Sequence, residues 1–107
     1  MNFEVAKMPK DGMRPIHPGE ILRHDVLDEL GMSANALAQT LGVPTNRITA
    51  ILHGRRGITA DTALRLSRFL GTTAEFWLDL QVHHDLRLAQ LKVGRTINRT
   101  VKPRQAA

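Results

Sequence analysis

Thr45, Asn46, Thr49 and Ala50 bring into one run of six positions the side-chain types that read base-pair edges. An asparagine carboxamide pairs in bidentate fashion with N6 and N7 of adenine, and a threonine or alanine methyl packs on the methyl of thymine. A well-made bidentate pair gives about 1–3 kcal/mol of discrimination against the wrong base. Arg47 lies inside the same run, and Arg55 and Arg56 follow it closely. Arginine can read guanine or grip phosphate. Most protein–DNA hydrogen bonds go to the backbone, which favours phosphate for Arg47. Arg55 and Arg56, in a basic turn, are expected to supply affinity and salt dependence without sequence information. Ser33 and Asn35 open the preceding segment, where a helix N-terminus is suited to meet a phosphate. The expected base contacts are Thr45, Asn46, Thr49 and Ala50. The expected phosphate contacts are Ser33, Asn35, Arg47, Arg55 and Arg56.

These groups converge only if two short helices are held at a fixed angle, and residues 33–54, SANALAQTLGVPTNRITAILHG, have that layout. Ser33 caps a helix running to Leu41. Gly42 ends it where a residue without Cβ adopts positive φ. Pro44 fits the entrance of a second helix, Thr45 to His53, and would break it further in. Leu37, Leu41, Val43, Ile48 and Ile51 supply the apolar contact, and Ala38 must be small because the second helix crosses close to it. The second helix keeps a polar outer face of Thr45, Asn46, Arg47, Thr49 and His53. This is the pattern of a helix-turn-helix whose second helix enters the major groove. A purely structural hairpin shares the packing, but has less reason to gather Asn, Arg and Thr on one face and end in a basic turn bracketed by Gly54 and Gly57.

Three further helices are expected around this unit, because two helices cannot bury their own apolar face. The first starts at His17, with Pro18 at its first position, Glu20 in its first turn and Ile16 and Ile21 at staple spacing. Leu22, Val26 and Leu30 form its core stripe and Gly31 stops it. Thr59 caps the fourth, with Asp61 in its first turn, Ala63, Leu66, Ser67 and Leu70 on one face, and Gly71 at its end. Thr73 caps the fifth, which carries an apolar stripe of Phe76, Trp77, Leu80, His84 and Leu88. From Lys92 onward Gly94, β-branched residues and Pro103 replace the Leu/Ala pattern. Thr96, Ile97, Thr100 and Val101 there suit either a short paired strand or a basic tail. The expected organisation is an all-α, five-helix domain over 16–91, an N-terminal arm over 1–15 and a basic C-terminal tail over 92–107.

Composition agrees with a polyanionic partner. Of 107 residues, 15 are Lys or Arg and 10 Asp or Glu, giving a formal net charge of +5. Residues 1–43 hold 4 basic and 6 acidic side chains, whereas residues 44–107 hold 11 and 4, so the basic excess begins with the second helix of the pair. There is no cysteine, hence no disulfide, thiolate metal site or cysteine nucleophile. No apolar run suits a membrane span and no signal peptide is visible, so a cytoplasmic protein with no membrane partner is expected. The histidines do not form a metal set. His17, Glu20 and His24 lack the HExxH spacing, and adjacent His83 and His84 point about 100° apart on a helix. No nucleophile, base and orienting group come together, so neither a metal, a cofactor nor catalysis is expected. A hydrolase using the histidines is the weakest reading, tested by metal analysis.

The runs MRPIHPGEIL (13–22), ALAQTLGVPTNRITAILHGRRGITADTALRLSRFLGTTAEFWLDLQ (36–81) and DLRLA (85–89) resemble the HigA-type antitoxins, the addiction-module antidotes of the lambda-repressor-like (XRE) helix-turn-helix family. The HPGE start, the GRRGITADTALRL linker and the EFWLxLQ opening of the fifth helix are specific to that type. The resemblance implies a homodimer bound to the double-stranded operator of its own operon. It also implies a partner toxin, usually a small RelE/HigB-like ribonuclease that cuts mRNA. The alternative is a stand-alone regulator of the same fold with no toxin, separated from the first by a small basic open reading frame beside the gene. One reader has too small a footprint for tight specific binding, so two are expected about 34 Å apart on the DNA. Trp77, Leu80, His84 and Leu88 are the expected dimer face, with ordinary core as the competing role for Trp77.

Overall fold

The computed structural model describes residues 14–105. Of the expected arm over 1–15, only Arg14 and Pro15 fall within these residues. Every regular element among them is a helix: α1 (18–30), α2 (Ala34–Leu41), α3 (Thr45–Leu52), α4 (Ala60–Leu70) and α5 (Ala74–Thr100).

α1 is one rod in three parts: α-helical Pro18–Ile21, a π-helical stretch Leu22–Leu27, and α-helical Asp28–Leu30. The wider winding, seen in the bond from the Asp28 N–H to the Arg23 carbonyl, changes which residues face inward. Leu27, five residues after Leu22, enters the core at 6% exposure, and Leu30 is turned out at 45%. The expected four-residue stripe of Leu22, Val26 and Leu30 is therefore corrected to Leu22, Val26 and Leu27. Gly31 ends the rod at φ 65°.

The remaining caps follow side-chain chemistry. Ser33, Thr59 and Thr73 each accept a backbone N–H of the first helical turn through the side-chain oxygen. The core is one cluster in which Leu22, Val26, Leu37, Ala38, Ile48, Ile51, Ala63, Leu66 and Trp77 are fully buried. Trp77 leaves no polar atom stranded there, since its indole N–H donates to Thr72 Oγ1 at 3.0 Å.

The chain beyond Lys92 is neither strand nor irregular tail up to Thr100. α5 continues through it for 27 residues in all. Gly94 costs a helix interior only about 1 kcal/mol relative to Ala, and Thr100 returns its hydroxyl to the Thr96 carbonyl at 2.8 Å. Pro103 is the first residue that cannot be accommodated. It restricts Lys102 before it, and the helix ends at Val101 in extended geometry. A helix of this length spans about 40 Å. The molecule measures 54 × 26 × 25 Å, so the C-terminal half of α5 projects from the body. Among the described residues no helix is long and apolar enough to cross a membrane.

Candidate nucleic-acid interface

α3 is fixed by its neighbours on three sides. At its C-terminal end, Gly19 of α1 lies so close that a Cβ there would stand 2.0 Å from the Ile51 carbonyl oxygen. Only glycine fits, which gives the third residue of HPGE a packing reason. At its N-terminal end the Thr45 hydroxyl donates to Asn35 Oδ1 at 2.7 Å, tying the first residue of α3 to the first turn of α2. From the side, Arg47 Nη1 donates to Asp61 Oδ1 of α4 at 2.9 Å. The same carboxylate oxygen accepts Arg65 Nε at 2.8 Å, and these bonds hold the Asp61 carboxyl below its ordinary range, Arg65 foremost. Arg65 Nη1 reaches the Leu41 carbonyl at 2.9 Å and that of Gly42 at 3.3 Å. A guanidinium thus satisfies the carbonyls at the end of α2, beside the turn at Gly42 (φ 71°).

The rest of the surface is left to solvent. Asn46 is exposed, and Thr49 and Ala50 are half-buried beside it. The Thr49 hydroxyl turns back to the Asn46 carbonyl at 3.3 Å. Ser33 uses its oxygen on the Ala36 N–H at 3.1 Å, so its own O–H remains available as a donor. Asn35 uses only its carbonyl on Thr45, which keeps its NH₂ available. Arg55 and Arg56 are both exposed, and their backbone N–H groups hold the Ala50 carbonyl at 2.9 and 3.3 Å. Gly54 at φ 73° makes this reversal possible.

The turn that carries the two arginines is clamped from below. Gln81 of α5 accepts the Ile58 N–H at 2.7 Å, and its amide packs where a Cβ on Gly57 would come within 2.9 Å. His17 approaches the same turn from α1. Its Nδ1 accepts the Gly19 N–H at 2.9 Å, its ring also bonds the Arg56 backbone, and the His84 ring meets it edge-on at 4.9 Å. Burial and the neighbouring His84 keep the His17 pKa below its ordinary value. Glu20 closes the cap by accepting the His17 N–H at 3.1 Å and binding Arg14 through both oxygens, at 2.8 and 3.0 Å. The Arg14 bonds hold the Glu20 carboxyl low.

The chain matches the helix-turn-helix family model over residues 24–77. It is 52% identical over 81 residues to the virulence-associated protein I of Dichelobacter nodosus, covering 76% of this chain and 75% of that one. An addiction-module antidote protein of the HigA family from Coxiella burnetii superposes with a TM-score of 0.83 at 58% identity, over 86% of this chain and 100% of that one. The chain belongs to the HigA-type helix-turn-helix antitoxins. Another relative, the antitoxin HigA of Pseudomonas aeruginosa solved with the higBA promoter, superposes at 0.84 with 42% identity, over 86% of this chain and 100% of that one.

Within this HigA-type frame the expected contact residues do not all lie free at the surface. Asn46, Ser33, Asn35, Arg55 and Arg56 are exposed together, with Thr45, Thr49 and Ala50 half-buried among them. Arg47, an expected phosphate contact, is folded onto Asp61, its side chain 24% exposed and its buried Nε without a partner. Of the expected dimer face, His84 and Leu88 are half-buried, while Trp77 and Leu80 need a correction. Trp77 and Leu80 are 0% and 4% exposed within the single chain, and buried side chains offer no area to a partner. At about 100° per residue, Trp77, Leu80, His84 and Leu88 share the side of α5 that faces the core. The opposite side carries Val82, Leu86, Val93 and Ile97, exposed at 60%, 56%, 44% and 48%, within about 60° of one another. Sequence reading followed one apolar stripe and missed the second. It also missed Arg65 and Gln81, whose roles depend on partners 23 or 24 residues away.

Proposed function

We propose that this chain is a DNA-binding antitoxin that represses its own operon as a homodimer and neutralises a small RelE/HigB-like mRNA-cleaving toxin. The observation that carries the DNA-binding part is Asn46, exposed on α3 between Thr45 and Thr49 while the helix is held by α1, α2 and α4. A rigid helix with one outward carboxamide suits an adenine in the major groove. Ser33, Asn35, Arg55 and Arg56 flank it and supply the phosphate grip. Arg47 acts from behind, orienting α3 through Asp61. The presence of promoter DNA with the Pseudomonas aeruginosa HigA supports the same role here.

The second copy docks along Val82, Leu86, Ala89, Val93 and Ile97, the outer stripe of α5, which borders a shallow groove lined by Leu86, Ala89, Gly94 and Ile97. The stripe runs from the middle of α5 onto its projecting C-terminal half, where it is free to pair with its symmetry mate. Specific binding asks for two readers one DNA turn apart, and a two-fold pairing provides them.

The antitoxin role is the inference drawn from the family. Co-expression with the reading frame beside the gene, followed by capture of the full chain, tests it. A small basic ribonuclease held in the complex and silenced by it is the expected result. Operator binding with no such partner reduces the function to that of a stand-alone regulator.

A further inference from the structure

His17 sits between the start of α1, the turn at Gly54 and α5. It caps α1 through Nδ1, and its ring lies against the Arg56 backbone. A Cβ on Gly54 would lie 4.0 Å from two of its ring carbons. The His84 ring of α5 closes the far side at 4.9 Å. His84 Nδ1 lies 3.1 Å from Asp85 Oδ1, and that oxygen also accepts Gln81 Nε2 at 3.0 Å. Gln81 in turn holds Ile58. The segment carrying Arg55 and Arg56 is therefore gripped at Arg56 by His17 and at Ile58 by Gln81, and the two clamps meet through His84 and Asp85.

We infer that His17 is a positioning residue for the phosphate-binding turn and that it performs this role only as a neutral imidazole. A nitrogen that accepts the Gly19 N–H cannot carry a proton. The charges facing His17 are Glu20 on its own helix, Arg14 beyond Glu20, and His84 and Asp85 on α5. Glu20 is engaged with Arg14, and Asp85 lies against His84 and Gln81. Protonation of His17 sets two N–H groups against each other at the start of α1. The ring then leaves its place beneath Gly54 and Arg56, and the two arginines lose their fixed aim. The sign distinguishes this from ordinary behaviour. A surface histidine that gains a proton near DNA strengthens binding, whereas protonation of His17 weakens it.

The inference rests on the DNA-binding reading, and the test separates the two. Fluorescence anisotropy of the full chain is measured on operator and on random duplex, across a salt series, at about pH 7.5 and about pH 4.5, the lower value set well below the ordinary histidine pKa because that of His17 is lowered. His17→Asn is the main variant, because asparagine is an equally good N-cap but is too short to reach Arg56. At the higher pH it should stay as helical as wild type by circular dichroism. It should bind both duplexes roughly five- to tenfold less tightly, with its salt slope reduced by up to about 0.9 for each phosphate no longer gripped. Wild type should fall toward the variant on acidification while remaining folded, and the variant should hold level or gain. Gln81→Ala, which releases the turn at Ile58, should reproduce the uniform loss at the higher pH and keeps the test open if His17→Asn fails to fold. Equal affinity and slope for wild type and a folded His17→Asn at both pH values would reduce His17 to a cap and overturn the inference. So would a rise in wild-type affinity on acidification that matches the rise in the variant. Wild type that binds neither duplex under any condition refutes the DNA-binding reading itself, and the inference with it.

Discussion

The two ends of this molecule treat an apolar helix face in opposite ways. At the reader end every apolar side of α2 and α3 is covered by the chain itself, and the polar side is aimed by the packing of Gly19 in α1 and by bonds from α2 and α4. Along the outer face of α5 a stripe just as regular, Val82 to Ile97, is left open. The reader must keep one geometry before DNA arrives, because base-edge hydrogen bonds reward only a narrow range of orientation. The outer helix has no such need until a second subunit meets it. Where a sequence builds its own cover, a mutation reads out as folding. Where it does not, a mutation reads out as assembly.

The largest expected effect tests that division directly. Leu80→Asp places a carboxylate at a site that is 4% exposed and should unfold the chain, at a cost above about 4 kcal/mol. Val82→Asp with Leu86→Asp, on the other side of the same helix, should leave helicity and thermal stability of the monomer nearly unchanged. That pair should sediment as a monomer and lose roughly a hundredfold or more in operator affinity, since the second reader is no longer tethered. A folded, dimeric Leu80→Asp would reverse the assignment of the two faces.

A smaller loss separates grip from reading within the interface. Arg55→Ala with Arg56→Ala should weaken operator and random DNA alike, by roughly ten- to thirtyfold near physiological salt, with a slope change of about 0.9 for each phosphate released. An unchanged slope would mean that this turn faces away from DNA. Asn46→Ala should cost about 1–3 kcal/mol on the operator and almost nothing on random duplex, and should relax preference at one base pair. Equal losses on both would remove Asn46 from base reading.

The contrast also explains what could be read from the sequence. The five helices were legible because their signals are local: Ser33, Thr59 and Thr73 as caps, Gly31, Gly42 and Gly71 as stops, and Pro18 and Pro44 at helix entrances. The exposure of Asn46 was legible for the same reason, as a polar residue on a helix whose apolar face is unmistakable. Three things were not. The register of α1 depends on a π-helical stretch with no composition signal, so Leu27 and Leu30 exchanged places. The ion pair of Arg47 with Asp61 depends on how α4 crosses α3, which no spacing reveals. The second stripe of α5 was hidden by Gly94, Thr96, Ile97 and Val101, which weaken a helix by propensity. The continuation of the helix through them is consistent with the absence of a proline before Pro103.

The smallest expected effect belongs to the entrance of α1, and it asks whether a cap at the reader end can be loosened without disturbing the far half of α5. Glu20 accepts the His17 N–H and binds Arg14, which holds its carboxyl below the ordinary value. A carboxylate with a lowered folded-state pKa adds stability above its unfolded pKa, near 4.3 for glutamate, and that stability is lost as pH falls through the folded value. Glu20→Gln keeps an acceptor for the His17 N–H, because glutamine also serves in a capping box. What it removes is the charge on an Arg14 that is 67% exposed, so the loss near neutral pH should be under about 1 kcal/mol, or a few degrees in Tm. Wild type and variant should therefore differ above about pH 5 and converge as the solution is taken toward about pH 3. Thermal melts by circular dichroism give the curves, and hydrogen exchange locates the change. Protection should fall over 18–30 and stay constant over 82–97. Parallel curves across the whole range would mean that the Arg14 pairing does not act on Glu20 in solution. Equal loss of protection in both regions would mean that the reader and the outer helix open as one unit, and the division between them would fail.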